Sequence, residues 1–302
     1  MNEETLQKCL KAGRIASQVR REGAARLKKP DIKILEVMDY CENRILELGG
    51  GISWVQYGLN DVAAHSCPTD ENYEVTKEGD IIKIDVGVHI DGWIADNAMT
   101  VEVGSDKNKE LVKASQNALR AAIKLVRPGV QLRELGVAQA SEAAALGFKT
   151  IRNLSGHTIE KYKVHGGVSI PFYDNGDKRE LQEDWQIAIE PFVTDGVGLI
   201  KEKGQATIFM VKRNASARTA SARKILQEVA PQNGMPFTTR WLTRKLGKGS
   251  TALGLKELQR VGAITAHPPL VEVSGAKVAQ FEHSMIVRDK PIVYTRHDDD
   301  EW

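Results

Sequence analysis

The first fifty residues carry apolar side chains at about every third or fourth position, which is the spacing of amphipathic helices. This pattern predicts one helix over residues 3–28 and a second over residues 31–48. Pro30 separates the two because proline cannot continue a helix, and the glycines at 49–51 end the second. The chain therefore begins with a pair of helices.

Downstream, short β-branched runs alternate with longer helical patterns. Residues 81–90 predict a strand, and Asp91-Gly92 predicts the two-residue turn that leads into a second strand. The same patterns predict helices at about 107–126 and 131–146, and strands at about 185–193 and 278–288. Helices and strands are mixed along the chain, which predicts an α/β (α+β) fold.

The segment from 213 to 270 has a character of its own. Three short helix-like runs precede two apolar segments near residue 264 and at 271–273, which is the order of a winged-helix module. Residues 213–262 contain ten Lys or Arg and two Asp or Glu, a net charge of about +8, although the whole chain carries only +2. The predicted division is a main domain at 1–212 and 271–302 and a winged-helix-like insert at 213–270.

Composition and cysteine usage narrow the class of protein. The chain has 302 residues, of which 41% are hydrophobic and 27% are charged, as in ordinary globular proteins. The N-terminal segment lacks the apolar core of a secretory signal, and no apolar run is long enough to span a bilayer. Cys9, Cys41 and Cys67 are scattered and form no disulfide framework. These features predict a cytoplasmic protein with no membrane partner.

Two carboxylates face each other across the predicted hairpin. If residues 91–92 form a two-residue turn, Asp96 faces Gly87, and Asp85 points to the same face as Asp96. Their Cα atoms would be about 7–8 Å apart. Two like charges resist burial unless a cation lies between them, and Gly87 is expected to leave room for such an ion. A solvent-exposed face is the alternative for either Asp taken alone.

Three further side chains are candidate ligands. His157 lies in a turn-like context, whereas Glu190 and Glu282 follow apolar strand residues. Taken singly, each is more often a structural or rim residue than a ligand. Together with Asp85 and Asp96 they make a set of four carboxylates and one imidazole, which suits two divalent ions about 3.5–4 Å apart. Such an oxygen-rich set favours Mn²⁺, Fe²⁺, Co²⁺ or Zn²⁺.

The segments that hold these residues resemble a known family. They resemble, in order, the five-ligand signature of the pita-bread metallopeptidases, at residues 84–96, Ser155-Gly156-His157, 188–192 and 280–283. The segments around His65 and His165 are similar to those with the two substrate histidines of the type II methionine aminopeptidases. The basic insert points to type II, and Ser155-Gly156 resembles archaeal members.

The resemblance implies a pita-bread fold, which is a curved antiparallel sheet backed by helices. It implies a metal-dependent aminopeptidase that removes the initiator methionine when the second residue is small. Hydroxide activated by two divalent metal ions (Co²⁺, Mn²⁺, Fe²⁺ or Zn²⁺) would attack the Met–X peptide bond. The implied partners are nascent polypeptide N-termini and the ribosome, and the protein would be a monomer.

The same resemblance implies a role for each ligand. Asp85 would chelate one ion, and Asp96 and Glu282 would bridge both. His157 and Glu190 would hold the other ion. Glu190 would also be a catalytic residue that shuttles a proton.

The implied substrate side consists of His165, a catalytic residue that contacts the scissile amide, and His65, which positions the substrate backbone. The sequence departs from the family nearby. Family members have a Phe-Pro step shortly before the first of these histidines, whereas residues 51–57 here read Gly-Ile-Ser-Trp-Val-Gln-Tyr. We expect Trp54 to take the place of the phenylalanine in the wall of the methionine pocket.

Three alternatives stand beside this interpretation. A non-catalytic binding protein on the same fold would lose metal ligands, which this chain keeps. A nucleic-acid-binding protein would contact RNA or the ribosome through the basic insert, with Arg240, Arg244 and Lys245 as candidate phosphate contacts. A prolidase would need a sizeable N-terminal domain, but only 84 residues precede Asp85.

Overall fold

The computed structural model describes residues 1–212 and 215–297, which form seven α-helices and 17 strands. The helices are α1 (Glu3–Leu27), α2 (Ile34–Glu47), α3 (Lys109–Leu125), α4 (Leu132–Ala145), α5 (Ala220–Val229), α6 (Thr239–Leu246) and α7 (Lys248–Arg260), with one 3₁₀ turn at Ala230–Gln232. The four helices predicted before residue 150 are confirmed to within about three residues at each end. None of the described helices is both long and apolar enough to cross a membrane.

The strands pair antiparallel and form five sheets. They are β1 (Gly51–Leu59), β2 (Val62–Ala64), β3 (Ile81–Ile90), β4 (Trp93–Glu102), β5 (Lys149–Thr150), β6 (Ser155–Ile159), β7 (Ser169–Pro171), β8 (Gln186–Ile189), β9 (Phe192–Thr194), β10 (Ile200–Glu202), β11 (Ile208–Val211), β12 (Phe237–Thr238), β13 (Ile264–His267), β14 (Leu270–Glu272), β15 (Val278–Gln280), β16 (His283–Ile286) and β17 (Ile292–Val293). The sheet orders are β1-β3-β4, β10-β14-β2, β12-β11-β13, β15-β9-β5 and β17-β16-β8-β6-β7. The predicted mixture of helices and antiparallel strands is confirmed.

The N-terminal helix covers the hairpin of β3 and β4. Its first turn is capped by Asn2, whose side chain accepts a hydrogen bond from the Thr5 N–H at 2.8 Å. Helix α1 approaches the sheet so closely at Gly23 that a Cβ there would lie 2.4 Å from Ile84 Cδ1 and 2.7 Å from Cys41 Sγ. Residues of α1, α2, β1, β3 and β4 share one buried hydrophobic core, which fixes the hairpin from behind.

The predicted hairpin is confirmed in its register. β3 and β4 pair from Ile81 to Ile90, and Gly87 lies opposite Asp96. Asp91 and Gly92 have φ values of 51° and 84°. Positive φ at both central residues is the backbone of a type I′ turn, which matches the twist of the strands on either side.

The segment predicted as a winged-helix-like insert, residues 213–270, differs from the prediction in its last two strands. β13 pairs with β11, whereas β14 pairs with β10 and β2, so the two strands are in different sheets. The predicted β-wing is therefore wrong. Pro268 and Pro269 lie between β13 and β14, and prolines lack the N–H donors that a continuous hairpin needs. The predicted domain boundary at residue 213 lies outside the described residues.

The basic side chains singled out in the insert have carboxylate partners. Arg240 is buried and pairs with Glu42 of α2. Arg244 forms ion pairs with Asp39 of α2 and with Asp70. Lys245 forms one with Glu228 of α5. The prediction of Arg240 as a phosphate contact is therefore wrong, whereas that of Arg244 and Lys245, whose side chains are exposed, stays a prediction. Burial of Arg240 makes it part of the contact between the insert and the rest of the molecule.

Candidate metal centre

The first two candidate ligands lie side by side on the hairpin. Asp96 pairs with Gly87, and Asp85 lies two residues away on the same face of β3. Both are buried, with exposures of 7% and 3% for Asp85 and Asp96, so the solvent-exposed alternative is wrong. The space above Gly87 is taken by Trp54, because a Cβ on Gly87 would lie 2.4 Å from its ring. The expectation that Gly87 leaves room for an ion is therefore also wrong.

His157 lies in β6, so the predicted turn around it is wrong. Its Nε2 atom lies 3.6 Å from Asp96 Oδ2 and 3.4 Å from Glu190 Oε1. Burial lowers the pKa of His157 to about 3, with a smaller contribution from His165. The imidazole is therefore neutral at ordinary pH, which is the form that binds a metal ion.

The two glutamates lie where strands are interrupted. The strand predicted at 185–193 is split at Glu190-Pro191 into β8 and β9, because proline cannot donate to a ladder. The strand predicted at 278–288 is split around Glu282 into β15 and β16. Each interruption releases a glutamate from the regular alternation of a strand, so that its carboxylate can approach residues of a neighbouring sheet.

Side-chain hydrogen bonds join the second interruption to β4. Ser284 Oγ accepts a hydrogen bond from the Asp96 N–H at 3.0 Å and donates one to the Asp96 carbonyl at 2.8 Å. The Glu282 N–H donates to the Ala98 carbonyl at 3.0 Å. These bonds hold the backbone of Glu282 alongside the backbone of Asp96, so the two ligand candidates meet although 186 positions separate them.

The carboxylates at this meeting point lack protein donors. One oxygen of Asp96 and both oxygens of Glu282 are buried without a hydrogen-bond partner among the described residues. Ligand atoms of Asp96, His157 and Glu282 all lie within 4.8 Å of one another. An uncompensated buried charge is costly, and a divalent cation bound to these atoms would remove the cost. The residues therefore fit a metal ion.

Burial raises the pKa of the carboxyl groups at this centre. The pKa of Asp85 rises to about 6, and hydrogen bonds from Trp54 and Gln56 limit the rise. Burial and neighbouring carboxylates raise the pKa well above the usual range in Asp96, Glu190 and Glu282. Groups that retain protons in the absence of a cation are the ones that a cation would ionise on binding.

A cavity of about 360 Å³ opens onto this centre. Its volume is at the lower end of the roughly 300–1,000 Å³ of small-molecule sites. His65 and His165 line it, and the ring centre of His165 lies 4.5 Å from that of His157. The apolar part of the wall includes Trp54, Phe192, Ile208, Met210, Pro236 and Leu270. The structure thus brings the predicted ligands and the predicted substrate histidines to one place.

The amino-acid sequence is similar to a known protein family and to proteins of known activity. Residues 7–289 match the model of metallopeptidase family M24. The chain belongs to metallopeptidase family M24. A methionine aminopeptidase of Pyrococcus horikoshii is 45% identical to this M24 peptidase over 291 residues, covering 95% of this chain and 98% of that protein. A methionine aminopeptidase of Archaeoglobus fulgidus is 41% identical over 291 residues, covering 96% and 97% of the two chains.

Solved structures identify the fold of this M24 peptidase. The methionine aminopeptidase of Thermotoga maritima superposes with a TM-score of 0.72 at 22% identity, covering 98% of each chain. A thermophilic Arx1 superposes with a TM-score of 0.86 at 18% identity, covering 100% of this chain and 92% of that one. The pita-bread fold predicted from the sequence is therefore confirmed.

Sequence reasoning missed polar residues of the M24 site. His267 lines the cavity, and its ring centre lies 5.3 Å from that of His65. Gln280 Nε2 donates to Glu190 Oε2 at 3.2 Å. Gln280 could have been found, because it stands two residues before Glu282 in the segment predicted as a strand. His267 carried no local signal, since the strand that holds it was assigned to a wing.

Proposed function

We propose that this M24 peptidase is a type II methionine aminopeptidase that removes the N-terminal methionine from nascent proteins when the second residue is small. The observation that carries the proposal is the convergence of Asp96, His157 and Glu282, with unpartnered buried oxygens, beside a cavity of peptide-binding size. Relatives named methionine aminopeptidase, 45% and 41% identical over nearly the whole chain, support the same activity.

The proposed centre would hold two divalent ions, Co²⁺, Mn²⁺, Fe²⁺ or Zn²⁺. Asp85, Asp96, His157, Glu190 and Glu282 would be the residues that hold them. Bound ions of this kind polarise a scissile carbonyl and lower the pKa of water. The neutral state of His157 and the orphaned oxygens of Asp96 and Glu282 support this assignment.

Proton transfer and substrate binding would be carried out by side chains around the centre. Glu190 would take a proton from the attacking water and pass it to the leaving amine. Burial lowers the pKa of His65 to about 4 and also lowers that of His165, so both rings are neutral. A neutral imidazole can donate one hydrogen bond. His165 would donate it to the oxygen of the scissile amide, and His65 would position the substrate backbone.

The apolar wall of the cavity would receive the methionine side chain. Trp54, Met210 and Leu270 are among its lining residues and offer no charge to the thioether. Trp54 lines the cavity as expected for a substitute of the family phenylalanine. Selection for a small second residue would follow from the crowding of the site by His65 and His267, whose ring centres lie 5.3 Å apart.

The wider assignments complete the proposal. The catalytic domain would comprise 1–212 and 271–302, with a winged-helix-like insert at 213–270. Helices α5, α6 and α7 share a separate hydrophobic cluster, which supports an insert. That cluster also includes Phe209 of β11. The enzyme would act as a monomer in the cytoplasm, on N-termini emerging from the ribosome. Cys9, Cys41 and Cys67 are buried free thiols, which supports a reducing compartment.

Hydrolysis of the peptide Met-Ala-Ser tests the function. Metal-loaded protein should release methionine, whereas Asp96→Asn should not, because a neutral amide cannot compensate the charge of the cations as a carboxylate would. Met-Trp-Ser should be cut far more slowly, and an X-Pro dipeptide should remain intact. A binding protein would leave every peptide unchanged, and a proline dipeptidase would cut the X-Pro dipeptide instead.

A further inference from the structure

Strand β1 places two hydrogen-bond donors on Asp85. Trp54 Nε1 donates to Asp85 Oδ1 at 2.7 Å, and Gln56 Nε2 donates to Asp85 Oδ2 at 2.7 Å. Gln56 lies directly opposite Asp85 in the β1–β3 ladder, and Trp54 lies opposite Gly87. The two donors are two residues apart and therefore share the strand face of the carboxylate.

The position of the Trp54 ring depends on Gly87. A Cβ at Gly87 would lie 2.4 Å from the indole, which no side chain could accommodate without moving the ring. The ladder also shifts register between Ile52 and Trp54, and such an irregularity re-aims the following side chains. Gly87 and this shift together bring the indole N–H within hydrogen-bond distance of Asp85.

Gln56 has a second contact at the opposite end of its amide. Its Oε1 accepts a hydrogen bond from the His65 N–H at 3.0 Å. His65 has a φ of 62°, in the left-handed region that is unfavourable for a residue with a side chain. The contact therefore helps to hold the His65 backbone in a conformation that it would not adopt alone. One amide links a candidate metal ligand to a candidate substrate residue.

The chemistry of a carboxylate explains why both oxygens are held. Each oxygen has two lone pairs, and one N–H donor at each oxygen leaves the others for a cation. The two donors also fix the rotation of the carboxylate plane. Partners that orient metal-binding carboxylates in this way typically change metal affinity about 10–100-fold when they are removed.

We propose that Trp54 and Gln56 are positioning residues that aim the Asp85 carboxylate at the metal centre, and that Gln56 couples this ligand to the His65 backbone. The proposal rests on the proposed function, since it takes Asp85 to be a metal ligand. It assigns Trp54 a polar task in addition to its place in the apolar wall of the cavity.

The first variant is Trp54→Phe, which keeps an aromatic side chain at this position, removes the N–H donor and also makes the ring smaller. Calorimetric titration of the metal-free protein with Mn²⁺ should give a Kd for the tighter site about 10–100-fold weaker than wild type. The melting temperature of the metal-free variant should fall modestly, because the smaller ring leaves a cavity in a buried cluster. Trp185→Phe is the matched control, because that indole lies outside the cavity of the metal centre and should leave the Kd unchanged.

A spectroscopic readout separates positioning from packing. At saturating Co²⁺, the visible absorption of Trp54→Phe should differ from wild type, because a rotated Asp85 changes the coordination geometry, whereas Trp185→Phe should match wild type. Gln56→Met removes both contacts of the amide. It should weaken Mn²⁺ binding and, beyond what Trp54→Phe does, raise KM for Met-Ala-Ser through the released His65 backbone.

The outcomes distinguish the two levels of the proposal. Suppose that wild type binds Mn²⁺, that both Trp54→Phe and Gln56→Met bind it with the same Kd, and that their Co²⁺ spectra are unchanged. The positioning role is then refuted, whereas the proposed function stands. If wild type binds no divalent metal, the proposed function fails and the positioning role fails with it. Should Trp54→Phe not fold, the Kd of Gln56→Met decides the question alone.

Discussion

Replacing Arg240 by methionine should destabilise the whole molecule. The Arg240 side chain is fully buried on α6, and its guanidinium contacts Glu42 of α2 and lies 3.1 Å from Asp39 Oδ1. A third contact, 2.8 Å long, runs to the Pro68 carbonyl, three residues after His65. Methionine would fill most of the volume and remove the charge. Glu42 would then be a buried carboxylate without its cation.

The magnitude follows from the burial of Glu42, which is 7% exposed. Breaking a buried ion pair by removing one partner costs about 3–5 kcal/mol. Trp241 Nε1 still donates to Glu42 at 3.0 Å, so we expect the lower end, about 3 kcal/mol. For a protein of 302 residues that corresponds to a melting temperature lower by roughly 5 °C.

Urea unfolding followed by tryptophan fluorescence measures the effect. The double variant Glu42→Leu/Arg240→Met should recover most of the loss, because replacing both charges by apolar side chains is often close to neutral. Lys248→Met serves as the control, since Lys248 and its partner Glu71 are both about two-thirds exposed and such pairs contribute little. An Arg240→Met variant as stable as wild type would refute the assignment of this pair as the anchor of the insert.

Three further results are expected. Asp96→Asn should weaken Mn²⁺ binding by at least the roughly 10–100-fold that loss of an outer partner costs, and calorimetry showing a wild-type Kd would contradict its place among the ligands. His165→Ala should lower kcat for Met-Ala-Ser on the order of 10²-fold with an unchanged Mn²⁺ affinity; a weakened affinity instead would make His165 a ligand. Burial raises the pKa of Asp85 to about 6 and that of Glu190 well above its usual range. The metal-free folded protein therefore binds more protons than the unfolded chain, and the contribution of these carboxyls to the free energy of unfolding falls as pH rises. Mn²⁺ must displace those protons, and the gain in melting temperature on adding Mn²⁺ should grow from pH 5 to pH 8 in scanning calorimetry; a constant gain would show that these carboxyls are already ionised.

The part of the site that could be predicted is the part that is local in sequence. Asp91-Gly92 fixes the turn, the turn fixes the register, and the register fixes Asp85 and Asp96 on one face. Each step needs only residues 81–102, so no tertiary information enters. The helices before residue 150 were predictable for the same reason, because a 3.6-residue period is visible within a single segment.

The neighbourhood of Asp85 could not be predicted from pattern alone. The sequence does not predict β1 (Gly51–Leu59), because glycines at its start and in its interior obscure the strand pattern. Without that strand, Gln56 has no register relative to Asp85, and the indole of Trp54 has no reason to lie over Gly87. His157 was placed in a turn for a similar reason, since Ser155 and Gly156 are residues that occur more often in turns than in strands.

The meeting of Asp96 with Glu282 depends on a register that no local pattern encodes. Thr100 Oγ1 donates to the Gln280 carbonyl and accepts from the Gln280 N–H, both at 2.8 Å. Ser284 makes the equivalent pair of bonds with Asp96, four residues further along each segment in opposite directions. The hydroxyls of Thr100 and Ser284 thus make the hydrogen bonds that backbone N–H and C=O groups would make between paired strands. Because a slip by one residue would move the Glu282 backbone away from that of Asp96, these two hydroxyls help to determine whether the two carboxylates lie close together.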